Sequence, residues 1–161
     1  MNLESKINSV IALYSNGQLE EAIEGVEVLI KDYPNEALLH NISGAFYQAI
    51  GQLNESVKSF GNAVTINSDY AEAHYNLGIA NKDLGQLDVA VKSYEKALTI
   101  KPDYAEAHNN LGLTLKDLGQ RDAAINFFKQ ALVSKPDYAE AHNNLGNTLK
   151  DLGRLDVAVK T

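Results

Sequence analysis

The chain has 161 residues and a net charge of −7 at neutral pH, from 21 acidic and 14 basic side chains. This balance disfavours nucleic acid and anionic membranes as partners, because both require a basic face. The sequence contains no cysteine, which excludes disulfides, thiolate metal sites and cysteine nucleophiles. Hydrophobic residues make up 45% of the chain, enough to form a core.

The beginning of the chain, MNLESKINSVIAL, carries a charge at Glu4 and only four consecutive apolar residues. This pattern is typical neither of a secretory signal peptide nor of a membrane-spanning helix. Together with the lack of cysteine, it predicts a cytoplasmic location.

One stretch recurs at a fixed interval of 34 residues. It reads SDYAEAHYNLGIANKDLG at 68–85, PDYAEAHNNLGLTLKDLG at 102–119 and PDYAEAHNNLGNTLKDLG at 136–153. The same interval separates Gly17, Gly51, Gly85, Gly119 and Gly153. Such a period indicates stacked units that bury their apolar faces against their neighbours. The chain is therefore predicted to be a single array of the units 3–36, 37–70, 71–104, 105–138 and the incomplete 139–161.

Within the unit 71–104, apolar residues follow the three-and-four spacing of two amphipathic helices. Gly85 is expected to end the first helix in a left-handed conformation, and Pro102 is expected to end the second. Asp103 precedes Glu106 by three residues, which predicts a capping box at the start of the next helix. The pairs Asp69/Glu72 and Asp137/Glu140 repeat this spacing. Five such units predict ten helices in five hairpins.

The small and aromatic positions of this unit carry a family resemblance. They are Gly78, Gly85, Ala90, Tyr94, Ala97 and Pro102. The pattern resembles the tetratricopeptide repeat, and it is weakest in the first unit, where Val10 replaces the first glycine. The resemblance implies an all-α, right-handed superhelical solenoid whose first helices line a concave groove. It also implies a protein or peptide as partner, bound as an extended segment.

The four histidines, His40, His74, His108 and His142, stand where the family most often has tryptophan. They are interpreted either as metal ligands or as equivalent packing residues. The second interpretation is favoured, because metal ligands converge on one point, whereas these copies lie in successive repeats. Neither a metal nor a cofactor is predicted.

Helical arithmetic places a second set of first-helix residues on a common face, opposite the packing side. The candidate groove residues are Asn41, Tyr75, Asn76, Ile79, Lys82, Asn109, Asn110, Leu113, Lys116, Asn143, Asn144, Asn147 and Lys150. Among them Asn76, Asn110 and Asn144 form what we call the asparagine ladder. It resembles the ladder of O-linked N-acetylglucosamine transferases, which implies that it holds the backbone of a bound chain. The alternative is that these asparagines are soluble fillers on an exposed helix.

Chaperone-binding members of the family hold a C-terminal carboxylate with basic side chains on their first helices. Here the position of the clamp lysine is occupied by Glu72, Glu106 and Glu140. The sequence therefore predicts no carboxylate clamp.

The favoured function is a non-catalytic interaction module that binds an extended segment. One alternative is a substrate-selecting amino-terminal array of a larger enzyme, as in bacterial glycosyltransferase- or sulfotransferase-like proteins with similar repeats. A third is self-assembly. No phosphate-binding loop or nucleophile–base pair stands out. Lys82 and Asp83 recur as Lys116 and Asp117, so they indicate a solvated charged face, not a catalytic pair.

In the last unit, Thr161 stands where Ser93 and Phe127 stand, so its second helix is incomplete. A short half-helix is marginal without packing. The sequence therefore predicts a fragment whose end frays or associates end to end with another copy. The apolar residues expected to meet solvent there are Leu152, Leu155, Val157, Ala158 and Val159.

Overall fold

The computed structural model describes the backbone of residues 1–160 and the side chains of residues 1–154. The regular structure of this part is entirely α-helical and contains nine helices. They are α1 (Leu3–Ser15), α2 (Leu19–Asp32), α3 (Ala37–Ala49), α4 (Leu53–Ile66), α5 (Ala71–Asp83), α6 (Leu87–Ile100), α7 (Ala105–Asp117), α8 (Arg121–Ser134) and α9 (Ala139–Lys160). The all-α fold class is confirmed, whereas the prediction of ten helices is wrong by one.

The turn inside each complete hairpin is made by its glycine, as the sequence predicts. Gly85 has a φ of +79°, in the left-handed region that residues with a side chain rarely adopt. Its N–H donates to the carbonyl of Lys82, and the N–H of Gln86 donates to the carbonyl of Asn81, both over 2.9 Å. These two bonds satisfy carbonyls that the end of a helix leaves open. Gly17, Gly51 and Gly119 adopt the same conformation.

The predicted capping boxes are wrong. Helices α5 and α7 start one residue later than the aspartates require, so that Tyr70 and Tyr104 occupy the N-cap positions without a side-chain cap. The Tyr104 carbonyl instead accepts the helical bond from His108, at 3.1 Å. The ring of Tyr104 packs against that of Tyr75 with centroids 4.9 Å apart. Tertiary packing of the tyrosine thus accompanies the later start.

The two helices of a hairpin meet where a glycine faces an aromatic ring. A Cβ added to Gly78 would lie 2.6 Å from the ring of Tyr94, and one added to Gly112 would lie 2.6 Å from that of Phe128. The two helices of these hairpins therefore approach each other closely at the glycine. In the first repeat, Val10 replaces the glycine. The position opposite it holds the smaller Val26, which is fully buried, so the two changes compensate in volume.

Helix α9 continues through Gly153, where the sequence analysis expected a turn. In the second, third and fourth repeats the return helix is held by an aromatic ring on the facing glycine, whereas no described residue lies within 4 Å of a Cβ added to Gly146. Without that packing, a straight helix keeps its hydrogen bonds, and glycine in a helix costs only about 1 kcal/mol. Leu152 is half-buried, and the side chains of Leu155, Val157, Ala158 and Val159 lie outside the described residues.

The hairpins stack in sequence order, each helix packing on the next. First helices of neighbouring repeats also contact one another, in the pairs α3–α5, α5–α7 and α7–α9. In the described part of the chain, no pair of second helices makes a comparable contact. The stack therefore curves with its first helices on the inner side. We call this inner face, formed by α1, α3, α5, α7 and α9, the groove.

Candidate binding groove

The predicted groove residues differ in how accessible they are. Asn41 and Asn109 are buried, with 6% and 1% of their surface exposed. The half-buried ones are Tyr75, Asn76, Ile79, Lys82, Asn110, Leu113, Lys116 and Asn144. The exposed ones are Asn143, Asn147 and Lys150. Sequence reasoning thus placed two residues in the groove that lie mostly below its surface.

The asparagine ladder is held in place by hydrogen bonds between repeats. The side-chain Nδ2 of Asn76 donates to Oδ1 of Asn41 over 3.1 Å, and that of Asn144 donates to Oδ1 of Asn109 over 2.9 Å. Between them, Asn110 donates to the hydroxyl of Tyr75 over 2.8 Å. Each bond spans 35 residues, one more than the repeat. The ladder residues are therefore hydrogen-bonded to the preceding repeat through their side chains.

A second set of polar contacts crosses the repeats near the C-terminal ends of the first helices. Gln48 donates to Asp83 over 3.4 Å. Lys82 lies 4.0 Å from Asp117, and Lys116 lies 3.4 Å from Asp151. These pairs also join each repeat to the next with an offset of 35 residues. Two predicted ligand-binding lysines, Lys82 and Lys116, thus face carboxylates of their own chain.

Burial keeps the groove tyrosines protonated. It raises the pKa of Tyr75 to about 12, with smaller contributions from Tyr138 and Glu106. Burial is also the largest cause of the raised pKa of Tyr104, followed by the nearby Tyr75 hydroxyl. These hydroxyls therefore act as neutral hydrogen-bonding groups near neutral pH.

The histidines close the turns between repeats. Nε2 of His74 lies 2.9 Å from the carbonyl oxygen of Ser68, and Nε2 of His108 lies 2.8 Å from that of Pro102. His40 and His142 make the same contact with Pro34 and Pro136. Each nitrogen is thus engaged with the loop that ends the preceding repeat. Among the described residues, no three His, Asp or Glu side chains converge as a metal site would require.

Sequence reasoning missed an apolar cleft at the N-terminal end of the groove. The cleft has a volume of about 680 Å³ and lies between α1, α3 and the start of α5. Of the predicted groove residues, only Asn41 and Asn76 line it. A signal was present in the sequence: at the groove positions of the first unit stand Ile7, Ile11 and Tyr14.

The stacked hairpins and the polar contacts along their inner face define a helical-repeat solenoid. The chain belongs to the tetratricopeptide repeat family, because the family described as TPR repeat matches residues 44–85, 80–119 and 114–153. No curated protein matches the chain. In the described residues, no helix is long and apolar enough to cross a membrane.

Solved structures share this fold over most or nearly all of the chain. A crystal structure of MamA is 27% identical, with a TM-score of 0.86 over 99% of this chain and 90% of that one. MamA from Desulfovibrio magneticus RS-1 is 19% identical, with a TM-score of 0.85 over 98% of this chain and 89% of that one. The first TPR of Spaghetti (RPAP3) bound to the HSP90 peptide SRMEEVD is 20% identical, with a TM-score of 0.71 over 73% and 93%.

Proposed function

We propose that this protein is a non-catalytic interaction scaffold that binds an extended polypeptide segment along its groove, through the asparagine ladder. The TPR fold supports a scaffold role. The structurally similar TPR of Spaghetti holds a peptide, and this likeness also favours a polypeptide as the partner here.

The observation that carries the proposal is the way the ladder is oriented. Each of Asn76, Asn110 and Asn144 uses one Nδ2–H for its bond to the preceding repeat. Among the described hydrogen bonds, Oδ1 of these three residues takes no part. A side-chain amide has two donors and one acceptor, so each asparagine retains a donor and an acceptor for a backbone amide of a ligand. Side chains already fixed in the free protein lose little entropy on binding.

The groove electrostatics favour a segment without a cluster of acidic side chains. Glu72, Glu106 and Glu140 lie in the first turns of α5, α7 and α9. A peptide such as SRMEEVD would bring its carboxylates close to them. We therefore expect this protein not to bind that peptide, in contrast to the TPR of Spaghetti.

The test begins with peptides selected on the protein from a phage-displayed library of random dodecapeptides. Neighbouring packed helices lie about 8–10 Å apart, and an extended chain advances about 3.3 Å per residue. N-methylation of the peptide backbone, one amide at a time, should therefore weaken binding most at about every third residue. Alanine substitutions of the peptide side chains should have smaller effects. Selected peptides that respond only to side-chain changes would contradict the role of the ladder.

On the protein side, the variant Asn76→Ala/Asn110→Ala/Asn144→Ala should lose at least tenfold in affinity for these peptides. Each ladder residue also joins two repeats, so we expect this variant to lose some stability, about 0.5–1.5 kcal/mol per bond. Binding is therefore measured well below its unfolding temperature. Asn54→Ala/Asn62→Ala/Asn126→Ala is the matched control, because these three asparagines are exposed on the second helices α4 and α8, outside the groove. Equal losses in the control and the ladder variant would argue against the proposal.

A further inference from the structure

At several groove positions the first two repeats have apolar side chains where later repeats have polar ones, as at Ile42, which is replaced by asparagine in each later repeat. Ile11 and Leu38 expose 41% and 40% of their surface, respectively. At the equivalent positions of the last repeat the chain has Asn147 and Glu140. Contiguous exposed apolar surface on a soluble protein marks an interaction site. The N-terminal end of the groove therefore offers a different chemistry from the asparagine ladder.

The apolar surface runs parallel to the helices. Its side chains are Leu3, Ile7, Ile11 and Tyr14 on α1 and Leu38, Ile42, Ala45 and Phe46 on α3. Successive members on α1 are three or four residues apart, as are Leu38, Ile42 and Ala45 on α3, so each of these sets shares one face. The rings of Tyr14 and Phe46 stack with centroids 4.8 Å apart and join the two helices at one end. From Leu3 to Tyr14 the strip is about 16 Å long.

The opposite end of the cleft is acidic. Glu4 and Glu72 lie in the first turns of α1 and α5, and Glu36 immediately precedes α3. Carboxylates at helix N-termini are favourable in themselves, which accounts for their recurrence in later repeats. Around this cleft, however, no lysine or arginine is among the described lining residues. The cleft thus combines an apolar floor with negative charge at one end.

We propose that this cleft binds a short amphipathic helix of a partner protein, with lysine or arginine at the end that faces Glu4, Glu36 and Glu72. Three turns of such a helix match the length of the strip, and apolar side chains at i, i+4, i+7 and i+11 fit between α1 and α3. An extended segment that runs across the repeats would contact only a short part of the strip, because the strip runs along the helices. This site goes beyond the asparagine ladder, although Asn76 borders both.

The probe is a fluorescein-labelled alanine-based helical peptide of about fifteen residues, with leucines at i, i+4, i+7 and i+11 and lysines at one end. Its binding to the whole chain is followed by fluorescence anisotropy. Two peptides serve as controls: one has glutamates in place of the lysines, and the other has the same composition with its leucines spread around the helix. The probe should bind at least tenfold more tightly than either control, and salt should weaken it. Equal binding of all three peptides would overturn the proposal.

The protein variant is Ile11→Asn/Leu38→Glu, which introduces residues that the chain itself uses at these positions in other repeats. It should weaken binding of the probe at least tenfold. The matched control is Val89→Asn/Val133→Glu, which introduces the same two residue types at two exposed valines on the second helices α6 and α8. It therefore adds the same charge outside the groove. Both variants add a negative charge, so electrostatic attraction alone would strengthen binding in both. Unchanged binding in the first variant, or an equal loss in the second, would refute the assignment of the cleft.

Discussion

Asn144 donates its side-chain Nδ2 to Oδ1 of Asn109 over 2.9 Å and so joins the fourth repeat to the fifth. Asn109 is almost fully buried, and its own Nδ2 donates to a carboxylate oxygen of Glu140 over 3.1 Å. One buried side chain therefore holds two residues of the following repeat. Together with the pairs Asn41–Asn76 and Tyr75–Asn110, this contact sets the lateral position of each first helix against the next.

The first prediction concerns this contact. Asn109→Ala should destabilise the protein by about 1–3 kcal/mol, because it leaves polar partners without a hydrogen bond in a buried place. A double-mutant cycle with Asn144→Ala in chemical denaturation should give a coupling of about 0.5–1.5 kcal/mol. Asn143→Ala, on the exposed neighbour, should stay within about 0.5 kcal/mol. Additive effects of Asn109→Ala and Asn144→Ala would mean that the bond contributes nothing.

The second prediction concerns Gly112. Gly112→Leu should destabilise the protein by about 1–3 kcal/mol or more, because even a Cβ would lie 2.6 Å from the ring of Phe128. Lys116→Ala, on the groove side of the same helix, should change the free energy of unfolding by only about 0.5 kcal/mol. The denaturation midpoints of the two variants are compared under the same conditions. Similar midpoints would contradict the assignment of the two helix faces.

The third prediction concerns the hydroxyl of Tyr94. This side chain is fully buried, and its oxygen has no hydrogen-bond partner among the described residues. The equivalent positions in the neighbouring repeats hold Phe60 and Phe128. Tyr94→Phe should therefore leave stability unchanged or raise it by about 1 kcal/mol, since it removes an unsatisfied polar group. A clear loss in the urea midpoint would show that the hydroxyl has a partner.

The fourth prediction concerns alkaline pH. Burial raises the pKa of Tyr75 to about 12 from its ordinary value of 10.0, so the folded protein holds this proton more tightly than the unfolded chain does. The resulting stabilisation is fully present below pH 10 and is lost as the pH rises from about 10 to 12. Thermal unfolding should therefore shift to lower temperature across this range. The unfolding temperature of Tyr75→Phe should fall less over the same pH range. An equal fall in the variant and the wild type would show that Tyr75 does not contribute to the loss of stability.

The resemblance to transferase arrays and the end-to-end association predicted from the incomplete fifth unit both stay predictions. Light scattering over a range of concentrations tests the second. A mass that rises with concentration supports association between copies, and a constant monomer mass argues against it.

The repeat phase was readable in the sequence because the same local interactions recur every 34 residues. Gly85 ends its helix by adopting a conformation that few other residues tolerate, and Gly112 is small because a ring lies against it. Neither property depends on distant parts of the chain beyond the hairpin itself. The capping boxes failed because packing of tyrosines such as Tyr104 accompanies a later helix start, which the spacing of aspartate and glutamate does not report.

The sequence by itself determined the hairpin unit and its glycine turns at Gly17, Gly51, Gly85 and Gly119. Only the tertiary structure decided that Asn76, Asn110 and Asn144 bond to the repeat before them, that α9 continues through Gly153, and that the N-terminal end of the groove is an apolar cleft. The reason is physical: helix propensity and turn conformation act between residues close in the chain. The partners of the ladder side chains belong to another repeat, and their identity depends on how the two repeats are offset.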